Sequence, residues 1–178
     1  MNKIVAAAAF LLALHCVLAD PCYATDGASF ELGRGAGTDM WRIGILWNWK
    51  SKWLETGKWH VGGYWEAQYG QWSGSGKRTI NDVGLTPVFR LEQTSPSAIS
   101  PYIEGAIGFH FISHTRLDDS RKFSTAFQFG DHVGAGARFG EHGRYDLSLR
   151  LQHLSNAAIK KPNDGINFAQ ARLLYHLD

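Results

Sequence analysis

The chain has 178 residues, with a formal net charge of +2, 44% hydrophobic residues, 13% aromatic residues and 20 Gly. The length suits one domain, and the near-neutral charge argues against a nucleic-acid-binding protein. The cysteines show no CxxC spacing and the His residues are scattered, so we expect no metal site, no disulfide framework and no cofactor.

The first 24 residues have the pattern of a secretory signal peptide. One early Lys precedes a short Ala/Leu/Val-rich run, and small residues follow at suitable cleavage positions. The apolar run is short for a transmembrane helix. We expect cleavage after Ala24, with cleavage after Ala19 as the alternative. The first cut removes both cysteines, whereas the second leaves Cys22 as a free thiol.

Beyond this leader, apolar and polar side chains alternate over segments of about ten residues, which is typical of membrane β-barrel strands. In the segment 40–50, for example, Trp41, Ile43 and Ile45 lie on the face opposite to Arg42. Stretches rich in Gly, Pro, Ser, Asp and Lys separate the segments, as expected of turns and loops. In chain order the candidate strands cover residues 28–36, 40–50, 59–69, 82–92, 102–114, 127–139, 144–152 and 167–177.

A secreted β-sandwich would also alternate in this way, but two features favour a membrane barrel. Aromatic side chains gather near strand ends, as in interfacial girdles. The polar faces combine Gly with charges of both signs, which suit the filled interior of an eight-stranded barrel. These charges are Arg42, Glu66, Arg90, Glu104, Arg138, Arg150 and Arg172. We therefore predict that residues 25–178 form an all-β domain, an eight-stranded antiparallel transmembrane β-barrel in a Gram-negative outer membrane.

Two residues depart from this pattern. Asp131 falls on the apolar side of its strand, which a bulge or an interfacial position would explain. The chain also ends in Asp178 rather than in the aromatic residue common at the end of bacterial barrels.

The seventh strand places His153 and Ser155 on its apolar side, in phase with Leu149 and Leu151. Asn167 shares the apolar side of the eighth strand. Barrels with an even number of strands keep both termini in the periplasm, so these groups would face lipid at the outer leaflet. A base activates a serine hydroxyl, and residues two apart on a strand lie within reach of an imidazole bridge. The alternative is an interfacial His and Ser that only hydrogen-bond to the following loop.

The segment "HLSNAAIKKPNDGIN", from His153 to Asn167, resembles the signature of the lipid A 3-O-deacylases (the PagL family) of Gram-negative outer membranes. The resemblance implies a serine esterase that removes the acyl chain ester-linked at the 3-position of lipid A in lipopolysaccharide. It implies Ser155 as the nucleophile and His153 as the general base. The oxyanion and substrate-binding positions that it implies are Asn156, Ala157, Ala158 and Asn163.

The sequence departs from the family at the third catalytic position, where the family's Glu is Asn167 here. An amide oxygen can orient His153 but carries no charge to stabilise an imidazolium. The alternatives to Asn167 are Asp164 or another acid, or a dyad with reduced activity. Other functions left open are a non-catalytic structural or adhesin-type barrel and an outer-membrane phospholipase. The expected partners are lipid A and membrane lipids; a homodimer is also left open.

Overall fold

The computed structural model of the protein describes residues 25–177, which form a closed barrel of eight antiparallel strands. Each strand pairs with the next along the chain, and the last pairs with the first. The strands are β1 (Gly27–Gly35), β2 (Thr38–Asn48), β3 (Trp59–Ser73), β4 (Ile80–Gln93), β5 (Ile99–Ile112), β6 (Phe127–Phe139), β7 (Tyr145–Ser155) and β8 (Ile166–His176). The predicted fold is therefore confirmed, while the predicted leader and its cleavage sites lie outside the described residues.

The strand bounds differ from the prediction mainly where pairing continues beyond the last clear alternation. β3 runs on to Ser73 because its residues keep pairing with β2 and β4, although this stretch reads as a turn in the sequence. β7 likewise extends to Ser155, so His153 and Ser155 lie within a paired strand. The short connection between β6 and β7 contains a single 3-10 turn, Glu141–Gly143. Within residues 25–177 no helix is both long and apolar enough to cross a membrane.

The two ends of the barrel differ in their connections. One end, which we call the loop end, carries the connections 36–37, 74–79, 113–126 and 156–165. The other, the terminal end, carries both ends of the barrel domain and the connections 49–58, 94–98 and 140–144. β7 runs from the terminal end to the loop end, and Ser155 is its last residue. The loop end therefore holds the candidate site.

Buried ion pairs fill the middle of the barrel. Arg90 donates to Glu104 and to Asp146, each at 2.8 Å, and Arg150 Nε donates to Glu104 at 2.7 Å. A charge removed from water needs such partners, because an unpaired buried ion is strongly destabilising. The remaining guanidinium–carboxylate contacts join Arg42 to Glu31 and Asp82, Arg150 to Glu31 and Glu66, and Arg172 to Glu66. Arg138, predicted to join this set, is half-buried and donates to the Gly143 carbonyl instead.

An apolar cluster closes the lumen at the loop end. The 113–126 connection folds inward and buries Leu117 and Phe123, which are 1% and 0% exposed. Leu154, between His153 and Ser155, is buried in the same cluster. Its other members are Met40, Trp72, Ile80, Ile112, Ile166 and Phe168. The strand segment that carries the candidate site is thus held from behind by close packing.

Candidate active site

The lipid-facing side of β7 changes from apolar to polar at its loop end. Leu147, Leu149 and Leu151 are exposed on the outer wall, and His153 follows them on the same face. Ser155 is half-buried at the end of this row, while the intervening Leu154 points inward. The alternation predicted from the sequence is therefore the one observed: imidazole and hydroxyl both leave the barrel wall outward.

Strand register brings two further polar residues to His153. On one side His153 pairs with Asn167 of β8, and on the other it pairs with Asp131 of β6. Ser155 pairs with Phe129 of β6. The register of β6 is continuous with both neighbours over Phe129–Phe139, so the bulge considered for Asp131 is absent, and its side chain is exposed on the outer wall.

A hydrogen bond of 2.6 Å joins His153 Nδ1 to the side-chain oxygen of Asn167. An amide oxygen only accepts, so the proton of this bond belongs to Nδ1. The lone pair of the neutral ring then lies on Nε2, the tautomer that a general base for a serine hydroxyl requires. No hydrogen bond joins His153 to the Ser155 hydroxyl in the described part of the chain. Such contacts are often long before substrate binds.

Gly165 provides the space that the imidazole occupies. A Cβ at this position would lie 2.9 Å from His153 Cε1 and 3.1 Å from the Leu154 carbonyl oxygen. Its φ of 59° is also in the left-handed region that favours glycine. The sequence alone did not assign Gly165 a role. The atoms that leave no room for a side chain at Gly165 belong to β7, and they come close only when the strands pair.

A strained turn follows the serine directly. Ala157 and Ala158 have φ values of 50° and 61°, which are uncommon for residues with a Cβ. This conformation brings the Ala157 N–H to 3.5 Å from Ser155 Oγ. Backbone N–H groups beside a nucleophile are the usual donors to an oxyanion, and strained backbone is often found at functional sites.

Asn156 and Asn163 hold the turn in place from beneath. The Asn156 side-chain amide donates to the carbonyls of Phe123 and Lys160, at 2.7 and 2.8 Å, and the side chain is fully buried. The Asn156 backbone N–H donates to the Asn163 side-chain oxygen at 3.1 Å. The Asn156 side-chain amide is therefore engaged in shaping the loop, and the N–H groups beside Ser155 that remain are those of the backbone.

Asp164 links the two long connections of the loop end. Its carboxylate accepts the Lys122 N–H at 2.7 Å, and its own N–H donates to the Lys122 carbonyl at 3.1 Å. The Arg121 guanidinium also donates to the Gly165 carbonyl. Asp164 is thus used as a clamp between loops, and the group that contacts His153 Nδ1 is Asn167.

Within the 113–126 connection, the Asp118 carboxylate accepts hydrogen bonds from the side chain and backbone of Ser120. These bonds lower the pKa of Asp118. The Lys77 ammonium lies 3.7 Å from the same carboxylate and connects the 74–79 and 113–126 connections. The loop end is therefore ordered by contacts between its own segments.

An apolar groove of about 860 Å³ runs along the outer wall and begins at the three polar residues that pair across β6, β7 and β8. Its upper row of outward positions contains Asp131, His153 and Asn167, and its lower row contains Val133 and Leu151. In the lower row Val133 and Leu151 are direct partners, and the small residues Gly105 and Ala169 flank this pair on either side. The remaining outward-facing residues that line it are Pro87, Phe89 and Ile107. This volume lies in the range of ligand sites, roughly 300–1,000 Å³.

The described part of the chain contains no group of three or more His, Cys, Asp or Glu arranged to hold a metal ion. The residue that sequence reasoning noted but did not place in the site is Asp131. The signal for Asp131 was its position on the apolar side of a strand. A charge that faces lipid destabilises a barrel, so such a residue is a candidate for a function.

Comparisons with known proteins agree with the fold. A family model described as lipid A 3-O-deacylase (PagL) matches residues 38–176. Lipid A deacylase PagL of Pseudomonas aeruginosa is 35% identical over 162 residues, which cover 89% of this chain and 90% of that protein. Lipid A deacylase PagL of Bordetella bronchiseptica is 32% identical over 174 residues, with coverages of 92% and 90%.

A crystal structure of the outer membrane enzyme PagL superimposes with a TM-score of 0.77 at 30% identity. The match covers 85% of this chain and 99% of that chain. The signature segment, the closed barrel and these similarities lead to one conclusion. The chain belongs to the lipid A 3-O-deacylase (PagL) family.

Proposed function

We propose that this member of the family works as a serine esterase in which Ser155 is the nucleophile and His153 the general base. It is an outer-membrane enzyme that hydrolyses the ester-linked acyl chain at the 3-position of lipid A. The observation that carries the mechanism is the 2.6 Å hydrogen bond from His153 Nδ1 to Asn167. This bond holds the ring proton on Nδ1 and leaves the lone pair of Nε2 available on the lipid-facing wall.

In the first step the Ser155 hydroxyl attacks the ester carbonyl while His153 Nε2 accepts its proton. The tetrahedral intermediate collapses when His153 returns that proton to the sugar 3-oxygen, which leaves as a hydroxyl. Water then attacks the acyl-serine with His153 again as base, and the free 3-hydroxy fatty acid departs. Atoms balance with water as the only co-reactant.

The oxyanion of each tetrahedral intermediate would be stabilised by the N–H groups of the strained turn. The Ala157 N–H already lies beside Ser155 Oγ, and the Ala158 N–H follows it. Asn156 and Asn163 act by holding this turn, since their hydrogen bonds support the loop backbone. Donors fixed in advance in this way need no rearrangement as charge develops.

The groove supplies a surface for the acyl chain, and the loop end supplies one for the sugar headgroup. With the termini in the periplasm, the loop end lies at the outer leaflet, where lipid A resides. The apolar lower row around Leu151 and Val133 extends from the reacting groups toward the membrane interior. The exposed Lys160 and Lys161 lie in the connection next to the site, where a headgroup would lie.

The decisive experiment compares lipid A from cells that express the intact barrel with lipid A from cells that express Ser155→Ala. We expect the wild type to remove one 3-hydroxy fatty acid, read by mass spectrometry, and the variant to remove none. Ser75→Ala is the matched control, because Ser75 is exposed in the 74–79 connection. Deacylation by Ser155→Ala would exclude this serine as nucleophile.

The same cells also test the neighbouring reaction class. Glycerophospholipids are extracted in parallel and examined for lysophospholipid. Loss of a phospholipid acyl chain with intact lipid A would instead identify a phospholipase, and no change in either lipid would identify a non-catalytic barrel.

A further inference from the structure

Asp131 is a carboxylate on the outer wall of the barrel, between the outward-facing Phe129 and Val133 of β6. In the described residues no side chain forms a hydrogen bond or an ion pair with it. Each buried carboxylate of the lumen that the structure describes has a guanidinium partner, so Asp131 differs from them in having none. A charge on the lipid face destabilises a barrel and is therefore kept only where it has a use.

The neighbour that could use this charge is His153. The two residues are direct partners across β6 and β7, and both line the groove. Side chains paired in this way have Cβ atoms roughly 4.5–5.5 Å apart. On the far side of His153 the partner is Asn167, which binds Nδ1 without providing charge. The imidazole thus stands between an amide that orients it and a carboxylate.

The other charged groups around His153 do not replace Asp131. Asp164, in the connection 156–165, accepts the Lys122 N–H, so its carboxylate is used in the contact between the two loops. Arg121 donates to the carbonyl of Gly165, which lies against the imidazole, and so brings a positive charge, not a negative one, to this side of the site. An imidazolium at this site needs a nearby anion.

We propose that Asp131 is a positioning residue that stabilises the His153 imidazolium during each attack, so that charge and orientation come from two different strands. A carboxylate at position 167 would combine both tasks in one residue; here β8 provides the orientation and β6 the charge. This inference rests on the proposed role of His153 as general base. For two unit charges about 6–10 Å apart at an effective dielectric near 20, the expected effect on kcat is about 10- to 100-fold.

The test is a double-mutant cycle in the intact barrel in lipid, with Asp131→Asn made in the wild type and in Asn167→Glu. In the wild type we expect kcat to fall about 10- to 100-fold with KM nearly unchanged. In the Asn167→Glu background we expect Asp131→Asn to lower kcat less than about threefold, because the new carboxylate replaces the charge. Glu141→Gln is the matched control, since it removes an exposed carboxylate at the terminal end.

Three results would overturn the inference. Asp131→Asn with wild-type kcat would exclude any role in the reaction. An equal loss in both backgrounds would mean that the carboxylate acts independently of position 167. An increase in KM alone would identify a substrate contact, such as a hydrogen bond to a sugar hydroxyl, in place of an electrostatic effect on His153.

The pH–rate profile gives a second readout that does not depend on how Asn167→Glu folds. Removing an anion beside His153 disfavours the imidazolium, so the acid limb of Asp131→Asn should move to lower pH. An unmoved limb would also overturn the inference. Failure of the proposed function is distinguishable, because it would appear as activity in Ser155→Ala rather than as a change in this cycle.

Discussion

The lumen and the lipid-facing wall of this barrel both carry polar side chains, but the two regions use them differently. In the lumen, Arg90 and Arg150 share Glu104, and every buried guanidinium has a carboxylate partner. On the outer wall, His153 has one bond to an amide, and its Nε2 and the Ser155 hydroxyl have none with each other. Mutual pairing stabilises the cylinder, whereas incomplete pairing leaves groups free for chemistry.

We expect the lumen to determine the stability of the barrel and the outer wall to determine its activity. Changes in the lumen should lower the amount of folded barrel without altering catalysis by the molecules that fold. Changes on the outer wall should alter catalysis while the barrel remains intact. The variants below test that division.

Replacing His153 by Ala should have the largest effect, a loss of at least about 10³-fold in kcat, because the proposed nucleophile Ser155 loses its proposed base. The unfolding midpoint in urea should remain within error, since the ring is exposed on the wall. His142→Ala, at the exposed turn of the terminal end, serves as the control. Activity above one-tenth of the wild type in His153→Ala would contradict the assignment.

Replacing Glu104 by Ala should destabilise the barrel by about 3–5 kcal/mol, because Arg90 and Arg150 lose a buried partner. The measurement is the urea midpoint of the barrel in lipid vesicles. Lipid A hydrolysis per folded molecule should stay near the wild-type rate. A Glu104→Ala barrel of unchanged stability but reduced turnover would contradict the assignment of stability to the lumen and activity to the outer wall.

Replacing Gly165 by Ala should lower kcat about 10- to 100-fold, because the new methyl group displaces the His153 ring from its working position. Gly76→Ala is a matched control: its φ of 68° imposes similar backbone strain, but no atom lies within 4 Å of the added carbon. Equal losses in the two variants would attribute the effect to strain alone.

Replacing Asn167 by Glu should have the smallest effect, preserving activity or raising it up to about tenfold, because a carboxylate can both orient and stabilise the ring. Asn167→Leu, which removes the acceptor, should instead lower kcat by about 10²-fold or more. Lipid A release over time measures both. A folded Asn167→Glu barrel without activity would argue against this position as the partner of His153.

The strand count and the outward direction of His153, Ser155 and Asn167 followed from the sequence alone. In an extended strand successive side chains point to opposite faces. The face on which a residue lies, which we call its parity, is therefore a local property that the alternation of apolar and polar residues reveals. The candidate nucleophile, base and orienting residue could be named for this reason, together with the resemblance of the signature segment. The ends of β3 and β7 could not, because pairing continues past the point where alternation fades.

Only the tertiary structure decided which residues from other segments meet these groups. The partners of His153 on β6 and β8 depend on strand register, and the support of Asn156 by Phe123 joins residues 33 positions apart. The fit of Gly165 against the imidazole and the sharing of Glu104 by two arginines arise in the same way. Parity is determined within one strand, whereas register is determined by the packing and hydrogen bonding of all eight strands together.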